Sequence, residues 1–357
     1  MSKVEGRKAA HDDGDGQATV VRIAVNRGPI SDLVVSPDGG RLLVTNCGSD
    51  SVSVIDTDTR RVTGTVAGLN EPFAIAVDGH GGGRAFVSTV SRAYDAIAVL
   101  DARAGTVVAT HPLALRVSDL AASPDGKRAY VSRNGADGGD LAVLDTATGR
   151  VGTVGLPVAP RATTACVRVS PDGSHLYVAA NGPAGGQVFA LRADGVPRVV
   201  GTIRIGLPIR DVALSPDGAI AYVASCAPDS GAVVDVIDTR SHAITRTRKV
   251  GDIGGILTGL TVSGDGDRAY VVSDAAITVL CTLTHDIVGT VAVTDQPSRV
   301  IESPDAKWLY VADYSGAVTV TPVGSITGQE LGDEARKVAG AEGLMLPDLL
   351  PREPALV

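Results

Sequence analysis

The chain has 357 residues, of which 44% are hydrophobic and only 3% aromatic, and its formal net charge is −8 at pH 7. No run of Lys and Arg is long enough to form the basic patch by which proteins hold phosphate backbones, so we expect no nucleic-acid partner. No apolar run approaches the roughly 18 residues of a membrane-spanning helix. The polar N-terminus lacks the apolar stretch of a secretory signal, which predicts a cytoplasmic protein that meets a membrane only through a partner.

Residues 1–16 are polar and rich in Asp and Gly, which predicts a disordered tail. Next comes "TVVRIAV" at 19–25, an apolar, β-branched segment with the character of a strand. It has no obvious partner nearby in the sequence.

An internal repeat organises the rest of the chain. "SPDG" occurs at 36–39, 123–126, 170–173 and 215–218. Degenerate copies are "SGDG" at 263–266 and "SPDA" at 303–306. The segment "AIAVDGHGGGRAFVST" at 74–89 fits the same position in the repeat between the first and second copies. The residue before each turn, the register position, recurs every 40 to 48 residues, at Val35, Val77, Ala122, Val169, Leu214, Val262 and Glu302. Seven repeats of this length predict an all-β, seven-bladed propeller.

Each repeat is predicted to form four antiparallel strands, A to D. In the first, strand A is "SDLVVS", strand B "RLLVTN", strand C "SVSVID" and strand D "VTGTV". Pro and Gly suit the tight A–B turn. We interpret Asp56, Asp101, Asp145 and Asp238, which begin C–D turns, as turn residues that bond their own backbone.

The last repeat has strands A to C, ending in "GAVTVTPV" at 316–323, and no recognisable strand D. The N-terminal "TVVRIAV" matches strand D of other repeats, such as "IVGTVAV" at 287–293. We therefore predict that the N-terminal strand completes the last blade and removes an exposed sheet edge.

The phrases "LLVTN", "AYVSR", "LYVAAN", "AYVAS" and "LYVAD", each followed by an "IDT"-like strand, resemble the YVTN or YncE-like family of seven-bladed β-propellers. The resemblance covers residues 17–323. It implies a bacterial interaction platform, and the excess of Arg over Lys is typical of a GC-rich, actinobacterial genome. Propeller lactonases and quinoproteins share the architecture, but their catalytic residues cannot be matched here.

The strand order places the B–C loops and the blade-to-blade D–A loops on one face, which we call the loop face. The short A–B and C–D turns lie on the other, the turn face. Variable loops on a rigid scaffold carry function, so the loop face is the expected binding face. Its large side chains are candidate partner contacts, with ordinary exposed loop residues as the alternative: Arg92, Tyr94, Arg133 and Tyr314.

A second set of candidate residues lies three positions before each register position. These positions begin the innermost strands, so we expect their side chains to surround the mouth of the central channel. The set is Asp32, Ala74, Asp119, Cys166, Asp211, Gly259 and Arg299. Asp32, Asp119 and Asp211, partly offset by Arg299, could bind a cation or a cationic ligand. Alternatively, each Asp accepts hydrogen bonds from the adjacent backbone and holds neighbouring blades together.

Signatures of catalysis and of cofactors are missing from the sequence. No GxSxG motif occurs, no Ser–His–Asp set can be assembled on one face, and the four cysteines form no CxxC pair. We predict no catalytic residues, no metal and no cofactor. A hydrolase or lactonase-like enzyme acting at the channel mouth stays open as the alternative.

The C-terminal tail, 324–357, can form one short helix and then a Leu/Pro-rich segment. Its apolar residues Leu346, Leu349 and Leu350 either pack on the propeller or dock on a protein partner. The sequence therefore predicts a monomeric, non-catalytic scaffold that binds a protein or another ligand. The unnamed partner could belong to a membrane-linked cell-envelope assembly complex.

Overall fold

A computed structural model describes residues 20–79, 83–91, 94–251, 256–291, 293 and 295–326. It confirms the predicted fold: seven sheets, each of four antiparallel strands, succeed one another along the chain. We number the blades 1 to 7 from the first SPDG copy. Both tails, including Leu346, Leu349 and Leu350, and the loop residue Arg92 lie outside the described residues.

The strands follow the repeat closely. After β1 (Val21–Ala24), blades 1 and 2 comprise β2 (Ile30–Val35), β3 (Arg41–Asn46), β4 (Ser51–Asp56), β5 (Arg61–Ala67), β6 (Ile75–Val77), β7 (Arg84–Thr89), β8 (Asp95–Asp101) and β9 (Thr106–Leu113). Blades 3 and 4 comprise β10 (Arg116–Ala122), β11 (Arg128–Gly135), β12 (Gly138–Asp145), β13 (Val151–Gly155), β14 (Thr163–Val169), β15 (His175–Gly182), β16 (Gly185–Arg192) and β17 (Arg198–Arg204).

Blades 5 and 6 comprise β18 (Ile209–Leu214), β19 (Ile220–Ala227), β20 (Gly231–Asp238), β21 (Ala243–Gly251), β22 (Leu257–Val262), β23 (Arg268–Ser273), β24 (Ile277–Cys281) and β25 (Ile287–Val291). Blade 7 has β26 (Pro297–Glu302), β27 (Trp308–Asp313) and β28 (Ala317–Pro322). Two 3-10 turns, Cys47–Ser49 and Val323–Ser325, are the helical elements among the described residues. No described helix is long and apolar enough to span a membrane.

Closure of the ring by the N-terminal strand is confirmed. β1 pairs antiparallel with β28, from Val21 opposite Val320 to Ala24 opposite Ala317, and becomes strand D of blade 7. Ile23 and Val25 are 6% and 7% exposed and pack in a cluster that joins blade 7 to blade 1. The first strand of the chain therefore fastens the seam between its ends.

The hydrophobic core is divided among the blade interfaces. Seven clusters of buried residues each join two neighbouring blades, such as the cluster of Leu43 and Ile75 between blades 1 and 2. Val, Ile, Leu and Ala dominate because both sides of every inner strand face another blade. The small number of aromatic residues is consistent with this thin, regular packing.

The SPDG repeat is a turn motif. Ser36 Oγ donates to Asp38 Oδ1 at 2.5 Å, and Asp38 Oδ1 also accepts the N–H of Gly40. Gly39 has a φ of 73°, a conformation that Gly adopts without steric cost. In the degenerate copy "SPDA", Ala306 takes the same conformation, with a φ of 58°. The C–D turn aspartates likewise bond their own turns, as predicted, for example Asp56 with the N–H of Thr59.

The predicted B–C loops 133–140, 181–187 and 226–232 are largely strand, which corrects the sequence interpretation. In blades 3 and 4 the strands continue to Gly135 and Gly182, and only 136–137 and 183–184 remain as turns. Gly138 and Gly185 have φ values of 131° and 100°, which permits a hairpin to close at the strand ends. Glycine in these segments therefore marks tight hairpins rather than long loops.

Candidate functional site: the mouth of the channel

The four candidate ligand-binding residues come together as predicted. Asp32, Asp119, Asp211 and Arg299 line one cavity of about 210 Å³, along with residues of the D–A and B–C loops. Ala74 and Cys166, from the same slot of blades 2 and 4, line it too. In six of the seven blades, the residue three positions before the register position therefore lines this one cavity.

A β-bulge explains why this slot reaches the channel. In six blades the pairing of strands A and B shifts register at the slot, for example between Ile30 and Asp32 in blade 1. A bulge adds one residue to one strand and re-aims the neighbouring side chains. Each of these blades thus presents its slot residue at the same level of the ring.

The charged residues form a continuous ion-pair network. Arg299 donates through Nε to Asp32 Oδ1 at 3.0 Å and through Nη1 to Asp211 Oδ2 at 2.7 Å. Arg168 donates to Asp211 Oδ1 and, at 2.5 Å, to Asp119 Oδ2. The chain Asp119–Arg168–Asp211–Arg299–Asp32 therefore joins blades 3, 4, 5, 7 and 1 across the channel.

Arg168 is the member of the network that sequence reasoning missed. It lies one residue before the register position, where the other blades have Val34, Ala76, Ala121, Ala213, Thr261 and Ile301. The sequence did contain a signal for Arg168, because it is the one charged residue at a position where the other blades have small, apolar or hydroxyl side chains. Its Nε also donates to the carbonyl oxygen of Val212 at 2.8 Å, which fixes the guanidinium against blade 5.

The three carboxylates also accept backbone hydrogen bonds from the next blade. Ile75 N donates to Asp32, Val167 N to Asp119, and Leu260 N to Asp211, at 3.0 to 3.1 Å. These contacts are the structural role that the sequence left as an alternative. An unpaired buried carboxylate is costly, and here Arg and N–H donors satisfy each one.

Proton equilibria at the mouth follow from burial and pairing. Burial tends to raise the pKa of Asp211, but the guanidiniums of Arg168 and Arg299 outweigh it, and the pKa is lowered. Burial raises the pKa of Asp32, which Arg299 offsets only in part. Burial also lowers the pKa of Arg299, yet Asp32 and Asp211 raise it above its ordinary value, so the guanidinium stays charged.

A second cavity of about 150 Å³ lies deeper in the channel, against Leu33, Leu120 and Val300. It shares four residues with the mouth cavity: Asp32, Asp119, Arg168 and Arg299. The ion pairs therefore form a floor between the two spaces. A ligand that enters the mouth cavity from the loop face therefore contacts this charged floor before it can reach the second cavity.

Other side chains form the wall of the mouth. Phe73 and Tyr314, which are 52% and 42% exposed, lie on the loop face and line the cavity. Arg210 is exposed and forms no ion pair with any described residue. Ser298 is 3% exposed, and its hydroxyl has no hydrogen-bond partner in the described part of the chain. A buried hydroxyl without a partner costs about 1–3 kcal/mol.

The candidate partner contacts differ in their exposure to solvent. Tyr94 is 52% exposed and lines a separate groove of about 230 Å³ beside Leu69. Arg133 is only 5% exposed, which makes its assignment to an exposed loop wrong. It lies in β11 and forms a bidentate pair with Asp140 on β12, both N–O distances being 2.8 Å. The extended hairpin of blade 3 buries this pair.

Neither metal-binding clusters nor paired thiols occur in the described ranges. No group of three or more His, Cys, Asp or Glu side chains there could hold a metal ion. All four cysteines are free, and burial raises the pKa of Cys166 at the mouth, which keeps it a thiol.

Comparison with known proteins places this geometry in context. No family model matches the chain. The chain is 51% identical to the seven-bladed beta-propeller protein Rv1057 of Mycobacterium tuberculosis, over the full length of both proteins. Its structure is similar to a chain of the hydrazine synthase of Kuenenia stuttgartiensis, with a TM-score of 0.73 over 90% of this chain and 99% of that one. These two are only 24% identical, so the likeness shows a shared fold alone.

Proposed function

The chain belongs to the family of seven-bladed β-propeller proteins, and on that premise we propose that it is a non-catalytic binding scaffold whose loop face takes its ligand or partner. The proposal depends on one observation: all three mouth carboxylates are committed to ion pairs and backbone hydrogen bonds between blades. A general acid or base must exchange a proton with substrate, and a metal ligand must give oxygen lone pairs to the ion. These carboxylates instead hold the ring together.

Exposed apolar side chains also favour the loop face. Phe73, Tyr94, Ile256 and Tyr314 project from its loops and are each 42% to 61% exposed. Large aromatic side chains that stay exposed on a rigid scaffold are typical of interface anchors. Tyr94 and Tyr314 were candidates from the sequence, whereas Phe73 and Ile256 were not.

We also propose a family group, a cellular location and a second contact surface for this chain. We place the chain in the YVTN-type group of an actinobacterium, on the strength of its repeat phrases and its Mycobacterium relative. We propose a cytoplasmic, monomeric protein without a nucleic-acid partner, which could serve a membrane-linked envelope complex. Residues 17–323 would be the propeller, and the tail with Leu346, Leu349 and Leu350 a second contact for a partner.

Retention from extracts of the native organism tests the choice of face. The bait is the full chain, compared with the quadruple variant Phe73→Ala, Tyr94→Ala, Ile256→Ala and Tyr314→Ala. The matched control is Val196→Ala with Leu283→Ala, two exposed residues of C–D turns on the opposite face. Since all six side chains are exposed, none of the variants should lose thermal stability.

The outcome discriminates between the faces. Molecules retained by the wild type and the control but lost by the loop-face variant, as identified by mass spectrometry, support the proposal. If the loop-face variant retains the same molecules as the wild type, the loop face is not the binding face. Turnover of a retained small molecule by the purified chain would show instead that the protein is an enzyme.

A further inference from the structure

The charged side chain of the mouth that has no described ion-pair partner is positive. Asp32, Asp119 and Asp211 are all ion-paired within the network by Arg168 and Arg299, and the third arginine of the lining, Arg210, balances the one negative charge that remains. Arg210 lines the same cavity, yet no described residue accepts a hydrogen bond from it or pairs with it. The sequence suggested a cation site because it showed the three acids with only Arg299 to offset them and did not reveal the second shared partner, Arg168.

Two further donors accompany Arg210. The hydrogen bonds of Arg299 to described residues are made by Nε and Nη1, so its Nη2 remains available on the floor of the mouth. Ser298, next to Arg299 on β26, lines the cavity, and its buried hydroxyl has no hydrogen-bond partner among the described residues. A guanidinium presents N–H donors in the plane that a carboxylate accepts, and a hydroxyl can donate one more bond.

The rest of the wall combines apolar or aromatic side chains with the hydroxyls of Ser31, Ser118 and Thr258, and the space is small. Phe73 and Tyr314 offer exposed aromatic rings at the rim, and aromatic rings pack favourably with one another. The volume of about 210 Å³ is below the roughly 300–1,000 Å³ of pockets for drug-sized ligands. The site therefore suits a small group with one flat apolar part and one charged end.

We propose that the mouth binds a small aromatic or apolar carboxylate, with Arg210 and Arg299 at the carboxylate, Ser298 as a hydrogen-bond donor, and Phe73 and Tyr314 around the apolar part. This inference rests on the proposed function, because it names the ligand class of the same face. Such a carboxylate can be a free small molecule or the C-terminus of a polypeptide that ends in an apolar residue.

Three isosteric probes test the sign of the charge: benzoate, benzamide and benzamidinium. The affinity of the full chain for each is measured by isothermal titration calorimetry at low ionic strength. Benzoate should bind at least about tenfold more tightly than benzamide, because only the anion can form charge-assisted hydrogen bonds. Benzamidinium should bind no more tightly than benzamide. Preferred binding of benzamidinium, or no binding of benzoate, would overturn the proposal.

Substitutions test whether Arg210 and Ser298 contact the bound carboxylate. Arg210→Gln should weaken benzoate binding about tenfold without a loss of thermal stability, because Arg210 is exposed and supports no other described group. Ser298→Ala should weaken it about threefold, again without a loss of stability. Arg198→Gln, which removes an exposed arginine of the outer strand β17, is the matched control and should leave the affinity unchanged. If Arg210→Gln binds benzoate as the wild type does, the assignment is wrong.

The two sources of the carboxylate give different results. A short peptide ending in Phe, with a free C-terminal carboxylate, is compared with benzoate and with the same peptide bearing a C-terminal amide. If a polypeptide end is the natural ligand, the free peptide binds more tightly than benzoate and the amide loses that affinity. If benzoate binds more tightly, a free small molecule is the ligand. Loss of all carboxylate binding alongside intact loop-face retention would refute this inference and leave the proposed scaffold function standing.

Discussion

Arg299 and Asp32 join the last blade to the first: Nε of Arg299 lies 3.0 Å from Oδ1 of Asp32, across 267 residues of chain. The same seam is held on its outer side by β1 against β28 and between the blades by the cluster around Ile23 and Ile30. Polar contacts at the channel and apolar contacts between the sheets thus stabilise one junction. The ring closes because both sets of contacts connect sequence-distant strands.

Asp211 is the centre of the network, so its replacement should have a large effect. Asp211→Asn removes the charge partner of both Arg168 and Arg299 while keeping the side-chain shape. Breaking a buried ion pair by removing one partner costs about 3–5 kcal/mol. We expect a loss of about 3 kcal/mol in the free energy of unfolding, measured by urea denaturation, since the arginines are partly exposed.

The matched control is Asp194→Asn, which breaks the exposed pair with Arg192. Surface pairs contribute about 0–1 kcal/mol, so this change should be small. Equal effects of the two substitutions would show that the mouth network does not stabilise the ring.

Deletion of residues 1–26 removes β1 and should sharply lower the melting temperature. Ile23 and Val25 are buried against blades 7 and 1, and burial of such side chains is worth about 1.5–3 kcal/mol each. The deletion also leaves β28 as an unpaired edge strand. Differential scanning calorimetry provides the measurement, and deletion of residues 1–16, which keeps β1, is the control. A truncated chain without β1 that melts like the full chain would refute closure by this strand.

Much of this fold could be predicted because it depends on local signals repeated seven times. Strands β3 and β4 have the predicted bounds, and the missing strand D of blade 7 pointed to β1. The burial of Arg133 could not be predicted, since it depends on how far a Gly-rich hairpin extends. The pairing of Arg168 with Asp119 and Asp211 depends on the rotation between blades, which no single repeat contains.

Ala306 occupies a conformation that suits Gly, so Ala306→Gly should stabilise the protein. Its φ of 58° matches the turn glycines of the other SPDG copies, such as Gly39 at 73°. The left-handed conformation costs a non-Gly residue about 1–2 kcal/mol, part of which is offset by the greater freedom of Gly in the unfolded chain. We expect a gain of up to about 1 kcal/mol in urea denaturation. Gly39→Ala should have the opposite sign, and a loss of stability in Ala306→Gly would contradict the interpretation.

Acid should destabilise the propeller over a narrow range of pH. Hydrogen bonds from Ser170 and Ser174 lower the pKa of Asp172 to about 2, against 3.8 for the ordinary carboxyl. A lowered pKa in the folded state gives a stabilisation that is complete well above pH 3.8 and is lost as the pH falls toward 2. The pKa is lowered in the same direction for other turn aspartates: Asp38, Asp56, Asp101, Asp125, Asp145, Asp217, Asp238, Asp265 and Asp305.

Asp32 and Asp235 have the opposite sign, because burial raises the pKa of each and protonation then favours the folded state. The turn aspartates outnumber these two, so the free energy of unfolding should fall between about pH 4 and pH 2. Denaturation in urea at a series of pH values checks this, and Asp172→Asn should make the decline shallower. A stability that rises on acidification through this range would contradict the prediction and mean that the buried Asp32 and Asp235 outweigh the turn aspartates.

The central claim, that the mouth carboxylates are structural rather than a cation site, is tested most directly by thermal melts with and without calcium. Wild type and Asp211→Asn are melted in the presence and absence of about 5 mM Ca²⁺, above the dissociation constants of weak protein calcium sites. We predict that calcium leaves both melting temperatures unchanged, and that Asp211→Asn melts lower than the wild type in either condition. A calcium-dependent rise in the melting temperature of the wild type that Asp211→Asn abolishes would contradict the account.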